Sequence, residues 1–316
     1  MQEISFIQKL LDQRIVAALS DNDVTDIIVN SSGKLILNSK KTGKEILGTV
    51  DQGDIKHAMQ AFCQYRGLYL NENNPSQTVH LPEEAPYFGA RMKCLIEPCT
   101  PAPAMVIRRH SEEVYPLDDF VEKAMVKPEE AAFLRDCISK YRMICIVGMP
   151  GSAKTALTAS LINEIGKLTP NDRVLVLEAT PEIHVDIEDV EYQKTNPLTM
   201  QQLVANTTQM FGDRIIVGEV IDCSAHDMLK ANILGCSGGM CTFHAKSCKH
   251  APLRLVELCC EKGIEPPISL INASVDVIVH MARDPNHPWG RRVMEIAELK
   301  GYDYDKKEFI VKTVNL

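Results

Sequence analysis

The sequence predicts an α/β fold in two parts, a domain of alternating strands and helices behind a smaller α+β domain. Three observations predict it. Ile144-Cys-Ile-Val147 is a short, wholly apolar run followed by a Gly/Pro turn and by a segment with Leu157, Leu161 and Ile165 on one helical face. From Arg142 onward, extended and helical patterns alternate over 143–147, 154–166, 173–177, 199–211, 214–218, 224–234, 240–243 and 250–261. Such alternation calls for crossover helices and a parallel sheet. Residues 1–112, by contrast, set helical patterns around a few short extended runs, the pattern of an α+β unit.

Taken in order, Ile7, Leu10, Leu11, Ile15, Ala18 and Leu19 recur at helical spacing across residues 4–19. Asp26-Ile-Ile-Val-Asn30 and Lys34-Leu-Ile-Leu37 flank Ser31-Ser-Gly33, a hairpin signal. Ile55, Ala58, Met59 and Phe62 mark a second helix, and the polar, Pro-rich stretch 67–86 reads as loop. Extended runs follow at Tyr87 to Ile96 and Ala104 to Ile107. Arg108-Arg109-His110 closes the first domain, placing the boundary between 1–112 and 113–316. Tyr115-Pro-Leu-Asp-Asp-Phe-Val121 starts a helix, and Pro128 opens another as a first-turn proline. The segment from Val275 to Val314 reads as strands around a Pro285-to-Gly290 turn.

With 316 residues the chain is long enough for two cores, and 45% hydrophobic and 24% charged residues are ordinary for a soluble protein. A net charge of −8 argues against an open duplex-DNA surface, so sequence-specific nucleic-acid binding is not expected. Eleven unevenly spaced cysteines read as thiols of a reducing compartment. Met1-Gln-Glu-Ile-Ser has no basic start and no run reaches membrane-spanning length, so a cytoplasmic location is expected.

Gly148-Met-Pro-Gly151-Ser152-Ala153-Lys154-Thr155-Ala156 sits between the apolar run and the helix, the context of a phosphate-binding P-loop. Amides from Gly151 to Thr155 would face a polyphosphate, reinforced by the helix N-terminus. Lys154 would neutralise the β/γ oxygens of ATP and the Thr155 hydroxyl would join a Mg²⁺ shell. Ala153 departs from the motif, which has glycine there. If that position needs a positive φ, the methyl group costs about 1 kcal/mol.

Three polar insertions follow predicted strands, where an open α/β sheet places ligands. Glu178, in Arg173-Val-Leu-Val-Leu-Glu178-Ala-Thr-Pro-Glu182, is placed to accept a proton from a water or hold it in line. Glu219 ends Gly212-Asp-Arg-Ile-Ile-Val-Gly218-Glu219, a Walker B-like stretch with glycine in the aspartate position. His244, in Gly238-Gly-Met-Cys-Thr242-Phe-His244-Ala245, is suited to donate a hydrogen bond near a γ-phosphate.

These four segments, in this order, resemble the secretion ATPase superfamily of type II and type IV secretion, type IV pili and conjugation, and within it the TrbB-type conjugal transfer ATPases. Asp23-Val-Thr-Asp-Ile-Ile-Val-Asn30 and Tyr115-Pro-Leu-Asp-Asp-Phe-Val121 are similar to that family's opening and inter-domain helix. The glycine-glutamate form of Walker B and the histidine box at Thr242 to Ala245 also match it. The resemblance implies a PAS-like N-terminal domain over a RecA-like ATPase domain, a homo-hexameric ring, and inner-membrane secretion or pilus components as partners. It also implies peripheral attachment to the inner membrane through those partners. By the same resemblance, Arg91 and Arg108 would reach the phosphates.

Ala153, Ala179, Ile221 and Leu234-Gly-Cys236-Ser237 depart from the family pattern, while Lys154, Thr155, Glu178, Glu219 and His244 are kept. The expectation is a working, slow ATPase. Its competitors are a ring component that binds nucleotide without turnover, a pilus assembly or retraction motor, and a DNA translocase, which the acidic balance disfavours. Cys236, Cys241, His244 and Cys248 offer soft ligands over a short span, but without paired C-x-x-C spacing.

Overall fold

The computed structural model describes residues 11–39, 42–82, 84–109, 115–195, 197–207, 209–261, 263 and 265–316. The chain divides into two units, Met1–Glu112 and Glu113–Leu316.

In the first unit, six antiparallel strands form one sheet in the order β3-β2-β1-β6-β5-β4. They are β1 Val24–Val29, β2 Lys34–Ser39, β3 Gly43–Thr49, β4 Ser76–His80, β5 Arg91–Leu95 and β6 Ala104–Arg108. Helices α1 Gln13–Ser20 and α2 Gln52–Tyr65 carry Ile15, Leu19, Ile55, Met59 and Phe62 into a core with Ile27, Val29, Leu35, Met92 and Ile107. Both helices start on an aspartate: Asp12 accepts from the Arg14 amide at 2.8 Å and Asp51 from the Asp54 amide at 3.0 Å. Arg14 also donates to the carbonyls of Leu47 (2.8 Å) and Thr49 (2.7 Å), tying α1 to β3.

Two corrections concern this unit. The stretch 67–86 is not all loop, because it contains β4, an edge strand that buries only Val79 and so shows no apolar alternation. The extended run expected at Tyr87 to Ile96 shortens to β5; Tyr87 is apolar cover for the core, its ring edge-on to Phe62 at 5.3 Å. Of the expected first helix, Ile7 and Leu10 lie outside the described residues.

In the second unit the sheet order is β14-β13-β12-β7-β11-β10-β8-β9. The strands are β7 Ile144–Val147, β8 Val174–Glu178, β9 Val190–Lys194, β10 Arg214–Val217, β11 Met240–Phe243, β12 Val277–Arg283, β13 Arg291–Asp303 and β14 Glu308–Thr313. From β12 to β9 neighbours run parallel, and β13 and β14 extend the sheet antiparallel. Strands β7, β8, β10 and β11 are buried at every residue, which is why they read as unbroken apolar runs.

Successive side chains go to opposite faces. Ile144, Ile146, Val174, Val176 and Ile216 pack with helices α3 Leu117–Glu122, α4 Pro128–Ser139 and α5 Lys154–Leu168. Cys145, Val147, Ile215, Val217 and Phe243 pack with α6 Met200–Thr207, α7 Ser224–Ile233, α8 Ala251–Cys260 and α9 Ile268–Ser274. Expected helix 199–211 therefore ends early, and β9 and the short α9 are additions that polar edge character and brevity hid from the sequence pattern.

Arg214 is fully buried and joins the ends of three elements. Its Nε donates to Asp172 at 2.6 Å, Nη1 to the Gly238 carbonyl at 3.2 Å, and Nη2 to the Ile138 carbonyl at 3.1 Å and the Thr169 hydroxyl at 3.2 Å. Its guanidinium also lies 4.1 Å from the Tyr141 ring centroid. Burial works against the Asp172 carboxylate, but hydrogen bonds from Arg214, Thr169 and Tyr141 outweigh it and hold the group below its ordinary range. Placing a cation at the C-terminal turns of α4 and α5 also suits their dipoles.

Candidate functional site

The site grows from the junction of β7 and α5. After Val147 the chain turns through Gly148 to Ala153, and Ala153 adopts φ +71°, ψ +28°, the left-handed conformation. Among the described residues no side chain caps the helix that follows, so its first amides are open to a ligand. The strain at Ala153 is about 1–2 kcal/mol. Leu157, Leu161 and Ile165 are each fully buried, and at about 1.5–3 kcal/mol apiece their packing outweighs it. The helix holds the loop in shape despite the methyl group.

Lys154 is the first residue of α5 and is buried. Its Nζ donates to the Met149 carbonyl at 3.3 Å and lies 3.4 Å from His244 Nδ1. Burial pulls its pKa down, and the charges of Glu219 and Glu182 oppose that. An incoming polyphosphate would relieve the same desolvation. Beside it the Ser152 hydroxyl is buried with no hydrogen-bond partner among the described residues, an orphaned donor in the cradle.

Glu219 follows β10, and His244 follows β11. The His244 ring bridges them to the loop: Nε2 is 3.0 Å from Glu219 Oε1, and Nδ1 is 3.0 Å from the Gly148 carbonyl. Gly218 has a steric reason. A Cβ there would stand 2.7 Å from Glu178 Cγ and 3.0 Å from its Oε1, so any side chain would push into the neighbouring carboxyl.

The two carboxylates beyond β8 occupy different surroundings. Glu178 is 5% exposed, and its Oε1 accepts from the amides of Glu182 at 3.0 Å and Ile183 at 3.1 Å. Burial raises its pKa from 4.5 to about 7, with the two amides pulling down and the Glu182 charge pushing up. Thus Glu178 shapes the 178–183 turn, and that turn carries Glu182 to the loop, where the Thr155 hydroxyl donates to Glu182 Oε2 at 3.5 Å. Glu182 belongs to no motif in the sequence; the signal for it is a second carboxylate just across the Thr180-Pro181 turn from Glu178.

Gly148, Gly151, Ser152, Ala153, Lys154, Thr155, Ala156, Glu178, Glu219 and His244 all belong to the loop, the first turn of α5 or the adjoining strand ends of the second unit. Arg91 and Arg108 belong to the first unit, directly opposite each other on β5 and β6. Arg108 pairs there with Asp26 at 3.0 Å. The four soft ligands do not converge. Cys236 Sγ donates to the Gly212 carbonyl, Cys241 faces Cys145 at 3.6 Å, and Cys248 faces the Ile278 carbonyl. Among the described residues, no three His, Cys, Asp or Glu side chains are grouped to hold a metal.

The family described as "Type II/IV secretion system protein" matches residues 5–298. The chain belongs to that family. This secretion-system protein is 31% identical over 304 residues to the probable conjugal transfer protein TrbB of Sinorhizobium fredii, covering 94% of this chain and 89% of the relative. It is 32% identical to conjugal transfer protein TrbB of Rhizobium radiobacter, covering 94% and 90%. In fold it is similar to the X-ray structure of the Legionella pneumophila ATPase DotB, with a TM-score of 0.63 at 16% identity over 96% of this chain and 82% of the other. The secretion-family protein therefore has the expected α/β architecture with a smaller α+β unit ahead of it.

Proposed function

We propose that this chain is a magnesium-dependent ATPase that powers a type IV secretion or conjugation apparatus. One observation carries the reading: Lys154 and Thr155 head an uncapped buried helix, and Glu182, Glu219 and His244 meet them from the ends of three neighbouring strands. The unpartnered Ser152 hydroxyl and the partly desolvated Lys154 ammonium both fit a phosphate in the cradle. Thr155 and Glu182 would hold Mg²⁺, since their oxygens are the hard ligands it takes, and the ion would supply charge against the phosphates.

In this reading the loop amides and Lys154 bind the phosphates, and Glu219 orients and deprotonates the attacking water. His244 holds Glu219 against the loop carbonyl of Gly148, so a change at the phosphates is passed to the end of β11. Arg91 and Arg108 keep the role implied by the resemblance, cations for the same phosphates. Ala153 does not favour a merely binding role, because the loop keeps its left-handed turn.

The working assembly in this proposal is a homo-hexamer on the cytoplasmic side of the inner membrane, attached through other components of the apparatus. Two relatives are conjugal transfer proteins by name, which supports the conjugation apparatus in this proposal. Among the described residues no helix is long and apolar enough to cross a membrane.

The test is ATP hydrolysis by the purified full chain with and without Mg²⁺, beside Lys154→Ala. The expected result is Mg²⁺-dependent turnover that falls at least a hundredfold in the variant. Folded wild-type protein that neither binds ADP nor hydrolyses ATP would refute the proposal.

A further inference from the structure

β12 runs beside the P-loop strand and ends at the cradle. His280 pairs in register with Val147, and the Met281 carbonyl oxygen would collide with a Cβ at Gly148. At the end of the strand Arg283 lies across Gly151. A Cβ on Gly151 would stand 3.3 Å from Arg283 Cζ and 3.4 Å from its Nε, and would collide with Nη2. The guanidinium thus rests on the loop backbone itself, where only glycine leaves room for it.

Its neighbours are engaged elsewhere. Arg292 pairs with Asp284 at 2.8 Å, and Arg291 Nε donates to the Trp289 carbonyl at 3.4 Å. Arg283 is exposed and has no ion pair or hydrogen-bond partner among the described residues. A planar cation with five donors, packed on an anion cradle and left unpaired, is suited to phosphate oxygens.

The strand order bears on which phosphates those are. β7 lies between β12 and β11. Glu182, Glu219 and His244 stand beyond β8, β10 and β11, all on the β11 side, and the Lys154 ammonium lies toward His244. The phosphate that is cleaved would lie with those carboxylates. The phosphates nearer the nucleoside would then lie on the β12 side of the loop. We infer that Arg283 binds the phosphates nearest the nucleoside, those that ADP and ATP share, and so retains product as well as substrate. The inference rests on the nucleotide-binding reading above.

Calorimetric titration of the full chain with Mg-ADP and Mg-ATP tests it, on wild type, Arg283→Ala and Arg283→Lys. Arg283→Ala should weaken both nucleotides by similar factors, about tenfold or more, and Arg283→Lys should recover part of the loss. In steady-state hydrolysis KM should rise while kcat stays within about twofold, because the contact is made equally before and during bond cleavage. Arg283→Gln, which keeps the stem, stands in if Arg283→Ala lowers the unfolding midpoint. Unchanged ADP affinity in a folded variant overturns the inference and leaves the ATPase reading intact. A loss confined to ATP, or to kcat, also overturns it by moving the arginine to the cleaved phosphate. Wild type that binds neither nucleotide removes the underlying reading, and the inference with it.

Discussion

Replacing Glu178 by glutamine should remove the titration of one buried carboxyl from the pH dependence of this protein's stability. Burial is the main reason that Glu178 is raised from 4.5 to about 7. Between those values the folded chain keeps a proton that the unfolded chain has released. The unfolded state then binds fewer protons, so stability falls as pH rises through the window and the full cost is present above pH 7. At about 1.4 kcal/mol per pH unit, the gap from 4.5 to about 7 comes to about 3 kcal/mol at pH 8. Glutamine retains an oxygen for the amides of Glu182 and Ile183 and has no charge to desolvate. Near pH 5 the variant should match wild type or fall slightly below it. By pH 8 it should gain about 2–3 kcal/mol over that baseline. Urea unfolding of the full chain at closely spaced pH values, followed at the transition that the substitution moves, measures the difference. A difference that stays flat with pH, or grows in the opposite direction, would mean that two backbone amides satisfy an ionised Glu178, and the burial argument would fail.

Three further outcomes follow from the same geometry. Ala153→Gly should relieve about 1–2 kcal/mol of left-handed strain and forfeit about 0.5–1 kcal/mol to chain entropy, for a net gain of about 0.5–1 kcal/mol in chemical unfolding. A destabilised glycine variant would show that the methyl group packs well enough to outweigh its strain. Arg214→Ala should cost about 3–5 kcal/mol, because Asp172 and two carbonyls lose a buried partner together. Thermal unfolding checks it, and a loss below about 1 kcal/mol would place that network outside the stable core. Gly218→Ala should destabilise by about 1–3 kcal/mol and slow ATP hydrolysis, since its Cβ would displace the carboxyl of Glu178 and with it the turn bearing Glu182. Hydrolysis and unfolding midpoints equal to wild type would show that the turn yields freely.

What the sequence determined by itself was local. Strand, turn and helix around Lys154 could be read directly, because a buried strand is an apolar run and an uncapped helix start needs only neighbouring residues. The same holds for Ala153, whose backbone demand is a property of one position, and for Glu219 and His244, which stand just past apolar strands. Edge strands β3, β4 and β9 carried no such signature, since a strand with one covered face and one free edge can be largely polar. Only the tertiary structure decided which carboxylate faces the Thr155 hydroxyl. Glu178 and Glu182 are equivalent as letters, and the difference arises because β10 closes over one of them at Gly218 and the resulting turn carries the other outward. Likewise no local pattern places Arg283 on Gly151. That contact exists because β12 pairs with β7, a register set by burial on both faces of the sheet and invisible to residues so far apart along the chain.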